Sequence, residues 1–190
     1  MIVNSKMDRR KKYTRMVLKE SLMKLLQKKQ ISSITIKEIC ELADINRSTY
    51  YAHYSNQYEL LNLIEEEFIE DLVATLSQYN FSKEKEALQM TEKLFEYIAE
   101  NSDVCHILLS ENSDIHFQKK GMKITQQFIF KNWITDKTLD KETYEYINLF
   151  LVSGSIYVIK NWLENGQNKT PKEMADILHN FINKGLSNMR

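Results

Sequence analysis

The chain has 190 residues, with 26 basic and 26 acidic side chains that cancel to a formal net charge of zero, and it contains four glycines and one proline. Gly plus Pro is thus 5 of 190 residues, where average usage puts the pair near about 12%. A multi-stranded sandwich or barrel is excluded, because such folds need a φ > 0 or φ-locked residue at most of their turns. An all-α fold remains, and 43% hydrophobic residues supply ample material for a core.

Neutrality resolves into two opposite parts along the chain. Residues 1 to 60 carry twelve Lys/Arg against six acids, a net of +6, and the remainder carries fourteen against twenty, a net of −6. A front third of that sign suits a polyanion, or a solvated basic helix face. Cys40 and Cys105 form no CxxC pair and no disulfide framework, which fits a reducing compartment. The start lacks the apolar stretch of a secretory signal. The longest uncharged apolar run, 146–159, falls short of the about 20 residues that span a bilayer. No membrane association and a cytoplasmic location are expected.

In chain order, Asp8 to about Lys28 is predicted as an amphipathic helix with Met16, Leu22, Met23, Leu25 and Leu26 inward and basic residues outward. A polar stretch, Gln27 to Ser33, ends it. Thr35-Ile36-Lys37-Glu38 is a capping box, in which the Thr hydroxyl and the Glu carboxylate each satisfy an orphan N–H. It opens a short helix, Ile36 to about Ala43, expected to bury Ile36, Ile39, Leu42 and Ala43. Asp44-Ile45-Asn46 interrupts, Asp44 tolerating a left-handed backbone and Asn46 offering a new N-cap for Arg47 to about His53.

Two short helices joined by such a turn make a helix-turn-helix pattern. The stretch Ile36 to Leu60 resembles the signature of the TetR-like family of bacterial transcriptional regulators: an apolar first helix, a tight turn, a Thr-x-Tyr recognition helix, an aromatic at Tyr54 and the start of a fourth helix. About 50 residues carry the resemblance. Asp44 stands where the family usually has Gly, and Gln57 where it usually has a phosphate-contacting Lys.

A long helix follows from Ser55 to about Gln78, striped by Leu60, Leu61, Leu63, Ile64, Phe68, Leu72 and Leu76, with Glu65-Glu66-Glu67 read as a solvated face. Residues 80–82 are a plausible linker. Further helices are predicted at about 83–101, 103–111, 114–135, 141–164 and 171–187, about nine in all. Gly166 closes one of them in a left-handed conformation, and Thr170-Pro171-Lys172-Glu173 opens the last with N-cap, N1 proline and N3 carboxylate. Residues 1–55 read as a DNA-binding domain and 56–190 as a helical dimerisation and sensing domain.

The resemblance implies a double-stranded DNA operator as partner. The major groove admits one α-helix and shows each base pair as a distinct donor and acceptor pattern. Arg47, at the first turn with a fork matching guanine O6 and N7, is the principal base-reading candidate. Ser48 and Tyr50 are secondary readers, and Lys37 reaches a flanking base or phosphate. By family correspondence Thr49, Tyr51 and His53 contact the DNA backbone. For Tyr50, Tyr51 and Tyr54 the plainer reading is core packing, and Tyr54 is assigned there. The basic segment Lys6 to Lys12 supplies salt-sensitive phosphate attraction.

Residues 141–164 are apolar on nearly every face, so they belong in the centre of the domain or in a subunit interface. Ser153-Gly154-Ser155 permits close helix approach. The resemblance implies a homodimer through the last two helices, a near-palindromic operator, and a repressor released by a small-molecule effector. Candidates for lining an effector pocket are Phe95, His106, Met122, Phe128, Trp133 and Tyr157, for each of which ordinary core of an all-helical domain is the plainer reading. No cofactor or metal is expected, and catalysis is not: the chain has no Gly-rich phosphate loop, Gly-x-Ser-x-Gly or His-Glu-x-x-His. The rival reading is a helical protein–protein interaction module without operator binding, supported by Gln57.

Overall fold

The structure, a computed structural model, describes residues 2–79, 84–110, 112–113, 117, 119–121, 123 and 140–187. Among them are eight α-helices, one short 3-10 helix and no strand, the all-α class that the scarcity of Gly and Pro predicts. The contact pattern divides the chain into two units, a head of residues 1–68 with 110–114 and a body of residues 69–109 with 115–190.

The head comprises α1 (Ile2–Leu26), a 3-10 turn (Ile31–Ser33), α2 (Ile36–Ala43), α3 (Arg47–Tyr51) and the first part of α4 (Gln57–Leu76). Helix α1 begins six residues before the predicted Asp8, taking in Lys6 and Met7, which are good helix formers, and Ile2 to Ser5, which are weaker ones. Its buried stripe is Leu18, Leu22 and Leu26, spaced four apart, and these pack with Ile34, Ile39, Tyr50, Leu60 and Leu61 in the core. Met16, expected inside, is 47% exposed because it lies two residues, more than half a turn, off that stripe. The end of α1 is closed by Asn112, whose amide donates to the Leu26 carbonyl at 3.0 Å while its own carbonyl accepts from Ile31 N–H at 2.9 Å.

On α4 the expected solvated acidic face is corrected at one position. Glu65 is buried, one turn on from Leu61 and next to Ile64 on the inward stripe. Glu66 accepts from Asn62, and Glu67 pairs with Lys19 of α1.

The body comprises the end of α4, α5 (Glu84–Glu100), α6 (Ser102–Leu108), α7 (Lys141–Glu164) and α8 (Pro171–Ser187). Helix α5 packs along α8, and Leu76, Ala87 and Met90 form a cluster flanked by Leu72, Tyr79 and Leu94. Phe95 meets Trp162 edge-on with ring centroids 5.2 Å apart. The Trp162 indole donates to the Lys169 carbonyl at 2.9 Å. Gly166 (φ 66) and Gln167 (φ 57) both adopt the left-handed region, and their N–H groups donate to Leu163 and Trp162, closing the last carbonyls of α7. Thr170 and Glu173 cap α8 reciprocally around Pro171. Asp140, which accepts from Thr143 N–H at 2.9 Å, caps α7, a signal that the sequence reading overlooked. The predicted linker 80–82 and most of the predicted helix 114–135 lie outside the described residues; Phe117, residues 119–121 and Lys123 are helical.

Helix α7 is not buried all round. Asn148, Val152, Trp162 and Leu163 point inward, whereas Tyr146, Leu149, Phe150, Ser153, Gly154 and Tyr157 form an exposed stripe at i, i+3, i+4, i+7, i+8, i+11 spacing, with Phe150 at 65% and Tyr157 at 71%. Among the described residues, a Cβ added at Gly154 would meet no atom within 4 Å. On α8, Ile177 and Phe181 are likewise exposed, while Met174, Ala175 and Ile182 are buried.

Candidate nucleic-acid interface

The recognition unit is set by a chain of caps. Thr35 accepts from Glu38 N–H at 3.3 Å, and the Glu38 carboxylate accepts from Thr35 N–H at 3.0 Å and from the Lys29 ammonium. Those bonds, Lys29 first, hold the Glu38 carboxyl down at about 2. Helix α2 then buries Ile39 and Cys40 with Ile36 and Ala43 half-buried, the i, i+3, i+4, i+7 stripe. Leu42, expected inside, falls off that stripe and is 50% exposed; Cys40 takes its place. Burial pushes the Cys40 thiol up, and burial pushes Cys105 up to about 12. Neither is poised as a thiolate.

Asp44 turns the chain at φ 54, ψ 44, and Ile45 N–H donates back to the Cys40 carbonyl at 3.0 Å. The aspartate therefore adopts the left-handed geometry that the family's usual glycine would take. Asn46 accepts from Ser48 N–H at 2.9 Å and starts α3. This five-residue helix offers Arg47 and Ser48 to solvent at its first turn, with Thr49 half-buried behind them. Lys37 is exposed on α2, 3.7 Å from Glu41, and it lines one shallow cleft of about 550 Å³ with Arg47, Asp44 and Asn46.

The tyrosines separate. Tyr50 is fully buried, donates to the Asn56 carbonyl at 3.0 Å, and has its hydroxyl pKa raised by burial. A side chain with no accessible surface reaches no base edge, so Tyr50 leaves the base-reading set and stands as the pillar of α3. Its ring contacts Tyr51 edge-on at 6.0 Å and Tyr54 at 5.7 Å. Tyr54 is buried, and Tyr51 is 58% exposed. Just past α3, His53 is half-buried, with its ring 6.0 Å from Tyr54.

The start of α4 differs from the family pattern in kind. Gln57 brings no charge, Glu59 N–H donates to Asn56 Oδ1 at 2.9 Å, and the Glu59 carboxylate accepts from Ser55 N–H at 2.7 Å. One helix-end N–H is thus satisfied by the Asn56 amide oxygen, and the Glu59 carboxylate holds the Ser55 N–H just ahead of the helix. What the sequence reading missed is Arg15: together with Lys11 on α1 it acts electrostatically on His53.

Three of the expected effector-pocket residues fall within the described part of the body. Phe95 is buried against Trp162, and exposed His106 lies 3.1 Å from the Leu163 carbonyl through Nε2. Tyr157 belongs to the exposed stripe, and Met122, Phe128 and Trp133 lie outside the described residues.

Residues 85–184 match a TetR-type family described as the transcriptional regulator C-terminal region. The chain belongs to the TetR family of transcriptional regulators. Over 181 residues it is 28% identical to the uncharacterized HTH-type transcriptional regulator YxbF of Bacillus subtilis (strain 168), covering 92% of this chain and 46% of that protein. The chain thus spans about half the length of that curated relative. Among solved structures, a TetR transcriptional regulator from Streptococcus agalactiae 2603V superposes with a TM-score of 0.74 at 21% identity, over 94% of this chain and 98% of the other. A TetR-family regulator from Syntrophomonas wolfei gives 0.69 at 16% identity, over 90% and 93%. These likenesses carry the TetR fold. No helix among the described residues is long and apolar enough to cross a membrane.

Proposed function

We propose that the chain is a sequence-specific DNA-binding transcriptional regulator, a cytoplasmic repressor rather than an enzyme. It would read a near-palindromic operator as a homodimer and leave it when a small molecule binds the body. The observation that carries this reading is α3: a capped helix propped from beneath by Tyr50, with Arg47 and Ser48 exposed at its first turn and exposed basic residues on α1. Arg47 is the base reader, able to engage a guanine by two parallel hydrogen bonds. Ser48 supports it, and Lys37, Thr49, Tyr51 and His53 take flanking bases or phosphates. Functionally, residues 1–55 are the DNA-binding domain and 56–190 the dimerising and sensing one.

The homodimer reading rests on the exposed stripes of α7 and α8. An aromatic and apolar face of this length needs cover, and a second copy laid antiparallel on the same face supplies it by symmetry. Two heads so joined would meet half-sites about one DNA turn apart. Effector release would act by population shift, through a ligand's differential affinity for two body states; Phe95, His106, Met122, Phe128, Trp133 and Tyr157 stay the lining candidates.

Gel shift with genomic fragments at two salt concentrations tests the reading. A discrete complex on a particular fragment that survives excess random DNA is the expected outcome. Uniformly weak, salt-sensitive binding to every fragment would overturn it in favour of a protein–protein interaction module, the alternative that Gln57 and Glu59 at the start of α4 favour.

A further inference from the structure

The link between α1 and α2 is completed by a residue from far along the chain. Helix α1 ends at Leu26, whose carbonyl is among the last four of the helix and so has no partner within it. Leu26 is fully buried, which keeps water from that carbonyl, and Ile31, whose N–H opens the 3-10 turn, is buried as well. Asn112 serves both groups. Its side-chain amide donates to the Leu26 carbonyl at 3.0 Å across 86 positions of sequence, and its backbone carbonyl accepts from Ile31 N–H at 2.9 Å. A tight turn holds Asn112 itself: its N–H donates to Ser110 Oγ at 3.2 Å, and Ser113 N–H donates to the Ser110 carbonyl at 3.4 Å. The segment 110–114 belongs to the head, and the chain enters it directly from Leu109, the residue that closes α6.

This clasp fixes the spacing between two sets of candidate DNA-contacting groups. Exposed Arg9, Arg10, Lys11, Lys12 and Arg15 lie on α1, exposed Lys37 and Arg47 lie on α2 and α3, and α1 packs on α2. The two sets are joined through residues 27–35, where Ser33 N–H donates to Gln30 and Ile34 N–H to Ile31 before Thr35 caps α2. We propose that Asn112 is a positioning residue for DNA binding: by gripping the end of α1 and the start of the turn, it keeps the α1 cations and Arg47 in one register. The proposal rests on α3 facing DNA, and it adds to residues 1–55 a residue that itself touches neither base nor phosphate. Without the clasp, two buried backbone groups lose their partners, so the link spends part of its time out of place. Apparent affinity falls in proportion to the competent fraction. A preferred sequence, which needs phosphate and base contacts at once, suffers more than a random duplex, which needs only the charge.

The test uses the full chain, a genomic fragment that it prefers and a mixed-sequence duplex. Hydrogen exchange at the Ile31 amide, followed by NMR, reports the clasp directly. Adding duplex to the wild type should slow that exchange, because a clasp that favours DNA binding is favoured by DNA to the same factor. Asn112→Ala should speed it by about two- to tenfold and weaken the preferred fragment by a similar factor, with helix content and oligomeric state unchanged. Asn112→Asp should do both more strongly, since the isosteric carboxylate sets an acceptor against the Leu26 carbonyl. Wild-type Ile31 exchange that ignores the duplex overturns the proposal, and this measurement needs no variant to fold. Faster exchange in the variants with duplex affinities unchanged makes Asn112 a purely structural residue and also overturns it. The operator reading fails separately: a chain with no preferred fragment, whose mixed-sequence binding and Ile31 exchange still respond to Asn112→Asp, keeps the clasp, whereas a selective chain indifferent to residue 112 loses it.

Discussion

The head and the body solve the same problem in opposite ways. In the head, Tyr13, Met16, Leu42, Tyr51 and Tyr58 are exposed singly, among a surface of exposed cations, Arg9, Arg10, Lys11, Lys12, Arg15 and Arg47. In the body, α7 and α8 turn aromatic and branched side chains outward at Tyr146, Leu149, Phe150, Tyr157, Ile177 and Phe181. Each unit is unfinished with respect to a different solvent component. The exposed cations of α1 and α3 attract a polyanion at an affinity that falls with salt; the exposed apolar stripes of α7 and α8 favour another apolar face with little response to salt. A neutral total hides both needs.

The sharpest way to break this contrast is to put a charge in the body's stripe. Phe150→Glu would leave two carboxylates facing one another in a symmetric contact, a type of burial that costs about 3–5 kcal/mol when uncompensated. The dimer should weaken by at least about a hundredfold, read by sedimentation at micromolar concentration, with operator binding lost alongside. A variant that remains dimeric would show that the stripe is not the interface. Next comes Arg47→Ala, expected to cost about 1–3 kcal/mol on the operator and far less on random duplex, so the ratio of the two affinities falls. Equal losses on both would place Arg47 among the phosphate contacts.

The smallest effect separates the units by acid. Glu38 has its folded pKa depressed to about 2 by Lys29 and the Thr35 cap. Its contribution is therefore fully present above the unfolded carboxylate value of about 4.3 and is lost as pH falls toward about 2. Glu38→Gln should flatten the acid limb of unfolding measured by circular dichroism. Thr35→Ala should lower stability by about 1 kcal/mol near neutral pH.

The local features were legible because their causes are local. Thr35 with Glu38, Asn46 before α3, Asp44 in a left-handed turn, and Gly166 with Pro171 each follow from a few neighbouring side chains, and α7 and α8 begin and end where the sequence predicts. Depth was not legible. Met16, Leu42 and Glu65 are placed by which arc of the helix meets a partner helix, and one residue's offset rotates a side chain by about 100°. Tyr50 and Tyr51 are chemically identical neighbours, and only the packing of α3 on the core sends one to Asn56 and the other to solvent. For the candidate site, Arg47 is placed at the first turn of α3 by the helix-turn-helix register, and His53 is proposed by family correspondence. Arg15 could not, because its relation to His53 crosses a chain separation that no short motif spans.

Gly154 separates two kinds of evolutionary change. A methyl group there touches no atom of the described residues, and alanine is the better helix former by about 1 kcal/mol, so nothing among those residues calls for glycine. If α7 pairs with a second copy, pressure comes only from that neighbour's surface. Substitutions at 154 then alter which copies pair while leaving each copy intact, a route by which a duplicated gene could stop mixing with its parent.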